Sequence, residues 1–152
     1  MTDLAFPIAE GGFGDLRFPM DVRIPSDVRY IEGVVGAVVQ RCVELDLSPR
    51  ACRLNVPVAL TEALSNAILR GNREDPNKAV RIRATMDSLA LILEVEDEGA
   101  GFDLEACVVE PCEGDNLDRE DGRGLFLMRS LMDRVELVPA ESSVVRLTLH
   151  RT

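Results

Sequence analysis

The chain has 152 residues, 46% of them hydrophobic and 29% charged, with one Tyr and no Trp. That length suits one domain around one core, and the scarcity of aromatics leaves aliphatic side chains to fill it and argues against a base-stacking surface. With 27 acidic and 17 basic residues the net charge is -10, which repels phosphate backbones and anionic lipid, so nucleic acid and membrane are poor partners and a basic protein is a better one.

No basic, apolar leader opens the chain and no stretch approaches a membrane span in length, so a cytoplasmic location is expected. Cys42, Cys52, Cys107 and Cys112 form no C-x-x-C pair and the single histidine, His150, is remote from them, which favours reduced thiols over a zinc site. Residues 1–15 hold Gly11, Gly12 and Gly14 with little periodicity and read as a mobile arm ahead of a single domain over 16–152. A strand is expected around Leu16–Ile24. From Ser26, read as an N-cap, Val28, Ile31, Val34, Val35, Val38, Val39, Cys42 and Leu45 recur at helical spacing, and this first helix should end near Asp46, before Ser48-Pro49.

A second helix is expected from Asn55, its N-cap, with Pro57 in the first turn, to Arg70, where Gly71-Asn72 supplies the stop. Beyond the polar turn 73–78, Val80, Ile82 and Ala84 alternate with polar residues, as do Leu89, Leu91, Leu93 and Val95, which predicts a β-hairpin about Met86-Asp87-Ser88. Asp103 to Asp121 carries eight acidic residues and one Arg without sustained period, the pattern of a long functional loop. A short helix at about Arg123–Met132 and two strands, near Arg134–Val138 and Val144–His150, complete the chain.

Three segments carry chemistry. Glu62 and Asn66 stand four apart on the second helix; they fit a solvated face, or a carboxylate that takes a proton beside an amide that ligates a hard cation. Asp97-Glu-Gly-Ala-Gly101 ends an apolar strand, which fits a plain turn, or an acceptor carboxylate beside backbone that another group can approach closely. Gly122-Arg-Gly124 stands directly before an apolar helix, which fits a flexible start, or free N–H groups that bind phosphate beside the Arg123 charge.

In this order the segments resemble the N box and the two glycine boxes of the GHKL ATPases, the histidine-kinase-like ATP-binding superfamily. The phrases EALSNAILRGN, VEDEGAGFD and GRGLFLM are similar to those of the anti-sigma-factor serine/threonine kinases, and the resemblance covers about residues 17–150. It implies a two-layer α/β sandwich, with a mixed, mostly antiparallel sheet and helices on one face. It implies ATP and Mg²⁺ as cofactors, Glu62 as general base, Asn66 as Mg²⁺ ligand and Asp97 as partner of the adenine amino group. Gly99 and Gly101 would form the close-packed turn beside the nucleotide, Gly122 and Gly124 would cradle phosphates, and Arg70, Arg123 and Leu125 would extend the nucleotide-contact set. Residues 103–121 would be the ATP lid.

The implied partners are a STAS-type anti-sigma-factor antagonist, as phosphoacceptor, and a sigma factor, with a homodimer left open. A nucleotide-gated binding module without kinase turnover is the alternative. A histidine kinase fragment is disfavoured, because His150 lies in the last strand and no dimerisation helices precede the domain. The chain departs from the family pattern in three places: Arg70 stands where members often have His, Ser142-Ser143 stands for a Gly-Thr pair, and Arg119 is the one cation between Asp103 and Asp121.

Overall fold

The computed structural model describes residues 17–99, 120–138 and 143–151, with backbone only for 120–123. The expected arm over 1–15, Gly101, most of the expected lid, Ser142, Cys107 and Cys112 lie outside the described residues. The elements are β1 (Met20–Pro25), α1 (Ile31–Glu44), α2 (Val56–Asn66), β2 (Ala79–Met86), β3 (Ala90–Asp97), α3 (Glu120–Leu131), β4 (Arg134–Val138) and β5 (Ser143–His150). A 3₁₀ turn, Val28–Tyr30, leads into α1, and π-helical turns, Ala51–Asn55 and Ala67–Gly71, flank α2.

The strands form one sheet in the order β1-β2-β3-β5-β4. Its neighbouring strands all pair antiparallel among the described residues, in keeping with the mostly antiparallel sheet expected. The period of two decides its faces. Val22, Ile24, Val80, Ile82, Leu91, Leu93, Val95 and Leu147 point to one side and join Val34, Val38, Leu60, Leu64, Leu125 and Met128 of the helices in a single core. Each such Leu, Ile or Val contributes about 1.5–3 kcal/mol by leaving water.

The opposite face is polar. Arg83 Nε donates to Glu94 Oε1 at 3.0 Å and Nη1 to Glu96 Oε1 at 3.2 Å, while Arg146 Nε reaches Glu94 Oε2 at 2.8 Å. Arg81 pairs with Asp21 at 2.7 Å across β1 and β2. The helices therefore cover one side of the sheet and ion pairs across strands dress the other.

Two expected caps are corrected. Ser26 does not cap α1: it is buried, its hydroxyl donates to the Lys78 carbonyl at 2.6 Å and accepts from Asn72 Nδ2 at 2.9 Å. Asp27 caps the 3₁₀ turn that leads into α1, accepting from the Arg29 amide at 2.9 Å, and α1 itself has no side-chain cap. Asn55 is no cap either, because its backbone is already helical (φ -58°, ψ -50°) and its Nδ2 donates to the Leu131 carbonyl at 2.7 Å. The second helical stretch starts six residues earlier, at Pro49, with Ser48 Oγ accepting from the Ala51 amide at 3.0 Å. Ser-Pro is a start signal as well as a stop, since proline lacks the N–H that a first helical turn leaves unpaired.

The last helix begins at Glu120 rather than about Arg123. Gly122 and Gly124 thus lie inside its opening turns, not ahead of it.

Candidate functional site

The helical side of the sheet ends in a group of polar residues where α2, α3 and β3 converge. Glu62 and Asn66 sit one turn apart on α2, with Asn66 buried and its Nδ2 without a hydrogen-bond partner among the described residues. Gly124 of α3 lies against both: a Cβ built there would stand 2.9 Å from Glu62 Oε1 and 3.4 Å from Asn66 Nδ2. Glycine lets α3 approach α2 this closely, and a larger residue would press on the carboxylate. An unpaired amide buried beside a carboxylate is costly to keep unless a ligand completes it.

Asp97 ends β3 and is 3% exposed. Its Oδ1 accepts from the Gly99 amide at 2.9 Å, which closes the turn after the strand. Burial pushes the Asp97 carboxyl above the usual range, and the Gly99 hydrogen bond offsets only part of that. A Cβ on Gly71 would collide with the Asp97 carboxylate, and one on Gly99 would collide with the Gly71 carbonyl oxygen. Both glycines are therefore required by close approach. The π-helical turn Ala67–Gly71 brings the chain to this point, as such turns often do at functional sites.

The remaining predicted residues divide. Arg70 is exposed on that π-helical turn. Leu125 is wholly buried in the core, which leaves its backbone alone to face a ligand. Gly122 and Arg123 belong to the first turn of α3. Gly101 lies outside the described residues.

Sequence reasoning named three further residues without their place at this site. Ser143 faces Asp97 directly in the β3–β5 register, is buried, and has no partner for its Oγ among the described residues. Directly opposed residues of an antiparallel pair share a face, so a hydroxyl and a carboxylate stand side by side there. Its only signal in the sequence is the departure Ser142-Ser143. Asn72 is buried and bonds to three segments, and Gly71 abuts Asp97; the pair reads locally as a helix stop.

Among the described residues no group of three or more His, Cys, Asp or Glu is arranged to hold a metal ion. Among the same residues no helix is long and apolar enough to cross a membrane.

Residues 24–149 match the family model of the histidine kinase-like ATPase domain. The chain is 28% identical to the serine-protein kinase RsbW of Bacillus subtilis over 142 residues, covering 85% of this chain and 83% of that protein. It is 30% identical to the serine-protein kinase RsbW of Staphylococcus aureus over 145 residues, 85% of this chain and 84% of that one. It is 34% identical to the anti-sigma F factor of Clostridium acetobutylicum over 84 residues, 55% and 58% of the two chains. A match over five-sixths of the length, on a sheet and helices that bring the three motif segments to one end, shows that this chain belongs to the histidine kinase-like ATPase domain family.

Proposed function

We propose that the protein is an ATP-dependent serine/threonine kinase that acts as an anti-sigma factor, phosphorylating a STAS-type anti-sigma-factor antagonist and sequestering a sigma factor in the cytoplasm. The relatives named serine-protein kinase and anti-sigma F factor support the class. The observation that carries the chemistry is the packing of Gly124 onto Glu62 and a buried, incompletely bonded Asn66. These residues fit MgATP: Asn66 Nδ2, unpaired among the described residues, is a donor suited to a phosphate oxygen, the amide oxygen on the same side chain is of the type that ligates a hard cation, and the glycine approach leaves room where a side chain would fill it.

Bound MgATP supplies an electrophilic γ-phosphoryl group. Asn66 would hold the metal through its amide oxygen. Glu62 would orient the acceptor hydroxyl and take its proton at a carboxylate oxygen as the new O–P bond forms and the bond between the γ-phosphorus and the β,γ-bridging oxygen breaks, with ADP as the leaving group. Asp97 would accept from the adenine amino group, with the Ser143 hydroxyl beside it. The Gly122 amide in the first turn of α3 and the charges of Arg123 and Arg70 would receive phosphate oxygens. Gly99 and Gly101 would keep the turn close to the base, and residues 103–121 would close over the nucleotide as the lid.

Transfer of labelled γ-phosphate to the antagonist tests this reading, with client capture measured on the same preparations. Glu62→Gln keeps shape and hydrogen bonding but removes the base, so transfer should fall about 10²–10⁴-fold while MgATP binding holds. Retained transfer in that variant would remove Glu62 from its role. Capture without transfer in the wild type would favour the nucleotide-gated binding module.

A further inference from the structure

We infer that Asn72 is a positioning residue for base recognition: its side-chain amide ties the Asp97–Gly99 turn to the end of the second helix and thereby sets where the Asp97 carboxylate meets the purine. This rests on the proposed reading of Asp97 as the adenine partner. Asn72 is 1% exposed, and its side chain bonds to three separate segments. Its Nδ2 donates to Ser26 Oγ at 2.9 Å, before α1, and to the Ala79 carbonyl at 3.0 Å, where β2 begins. Its Oδ1 accepts from the Glu98 amide at 2.7 Å, just past the end of β3. The Asn72 backbone amide is held in turn by the Ala67 carbonyl at 2.8 Å.

The Glu98 bond is what links this network to recognition. Pairing between β3 and β5 stops at Asp97 and Ser143, so the Glu98 amide has moved beyond the ladder and the Asn72 side chain receives it instead. The next amide, of Gly99, turns back to Asp97 Oδ1 at 2.9 Å. Two successive N–H groups thus act in series: Asn72 holds the first, and the second holds the carboxylate. Releasing the first frees the turn, and with it the direction of the acceptor oxygen. Gly71, one residue earlier, is the residue that lies against the Asp97 carboxylate, while the side-chain bonds of Asn72 go to Ser26, Ala79 and Glu98. A neutral amide also does this without placing a second charge beside a buried carboxylate, as an aspartate at this position would.

The test is MgATP and MgGTP affinity of the full chain, by calorimetry, for the wild type and for Asn72→Ala, Ser26→Ala and Asp97→Asn. The wild type should prefer MgATP. Asn72→Ala should lower the ATP-to-GTP affinity ratio by about tenfold, the order of one lost buried hydrogen bond. Ser26→Ala removes one anchor of the amide and should lower the ratio less. A purely structural role would weaken both nucleotides by the same factor and leave the ratio unchanged. If Asp97→Asn loses the preference while Asn72→Ala keeps it, this inference fails and the reading of Asp97 stands. A wild type without preference defeats the reading of Asp97 itself. Should Asn72→Ala not fold, amide exchange at Glu98 decides: protection in the wild type that Ser26→Ala weakens supports the link, and unprotected exchange in the wild type overturns it.

Discussion

The two faces of the sheet treat polar groups in opposite ways. On the open face Glu94 receives both Arg83 and Arg146, and Asp21 receives Arg81 through two bonds of 2.7 and 2.8 Å, so charge is balanced between strands. At the end of the helical face, Asn66 Nδ2 and Ser143 Oγ are buried with no partner among the described residues, and the Asp97 carboxyl is pushed up by burial. Balanced pairs hold the strands in register. Unbalanced groups cost stability and are kept where a ligand will complete them. On the proposed reading, this difference separates scaffold from site.

The sharpest way to break that contrast is Gly99→Ala. The added Cβ meets the Gly71 carbonyl, backbone against backbone, and neither side can swing away. We expect nucleotide binding to be lost and stability to fall by about 2–3 kcal/mol, as for other overpacked positions. Denaturant melts and calorimetry on one preparation check both. A Gly99→Ala protein that binds MgATP at wild-type affinity would show that the turn is not part of the site.

A smaller effect is expected on the open face. Glu94→Ala should cost about 1 kcal/mol, because its partners remain partly solvated, and MgATP affinity should not change. Burial alone would raise the Glu94 carboxyl, but the hydrogen bonds from Arg146 and Arg83 outweigh it and hold the group below its ordinary value of 4.5. A depressed folded value means stabilisation that is present above the unfolded pKa and lost as pH falls through the folded one. The wild type should therefore lose part of its margin over the variant on acidification below about pH 4.5. A margin that grows with acid would reverse the assignment.

Asp97→Asn sharpens the comparison with the smallest change in stability and the opposite sign. Because the folded carboxyl sits above 3.8, the native state binds its proton more readily than the unfolded chain, and above the folded value ionised Asp97 costs stability. That cost eases as pH falls from the raised value towards 3.8. At neutral pH the variant should melt at or slightly above the wild-type temperature while binding MgATP more weakly. A clear loss of stability at neutral pH would place Asp97 with the structural pairs rather than with the site.

Local reading treats the four cysteines as free thiols, and the two that are described are free in the structure. Cys42 and Cys52 are buried and free, and burial pushes the Cys42 thiol up to about 12, so it is protonated and inert at neutral pH. Spacing alone had already argued for reduced thiols. The hairpin was legible for the same reason, since alternation over Val80–Ala84 and Leu91–Val95 is a property of neighbours in the chain. Its turn is local too: Asp87 Oδ1 accepts from the amides of Leu89 at 2.8 Å and Ala90 at 2.9 Å.

What the sequence by itself determined is the set of elements and most of their buried faces, Val28, Leu45 and Leu89 being exposed at element ends, because the periods of two and 3.6 and the glycine and proline signals act between residues a few positions apart. It also carried the motif segments holding Glu62, Asn66, Asp97 and Gly124, through a resemblance of residue types and order. Only the tertiary structure decided the partners across long separations. Ser26 reads as a cap until Asn72 arrives 46 residues later to bond it, and Asn55 reads as one until α3 brings the Leu131 carbonyl to its amide. Ser143 is an ordinary strand residue until the register sets it opposite Asp97. A side chain able both to cap and to bridge has no local preference that distinguishes the two, so its role is settled by which distant group the fold delivers to it.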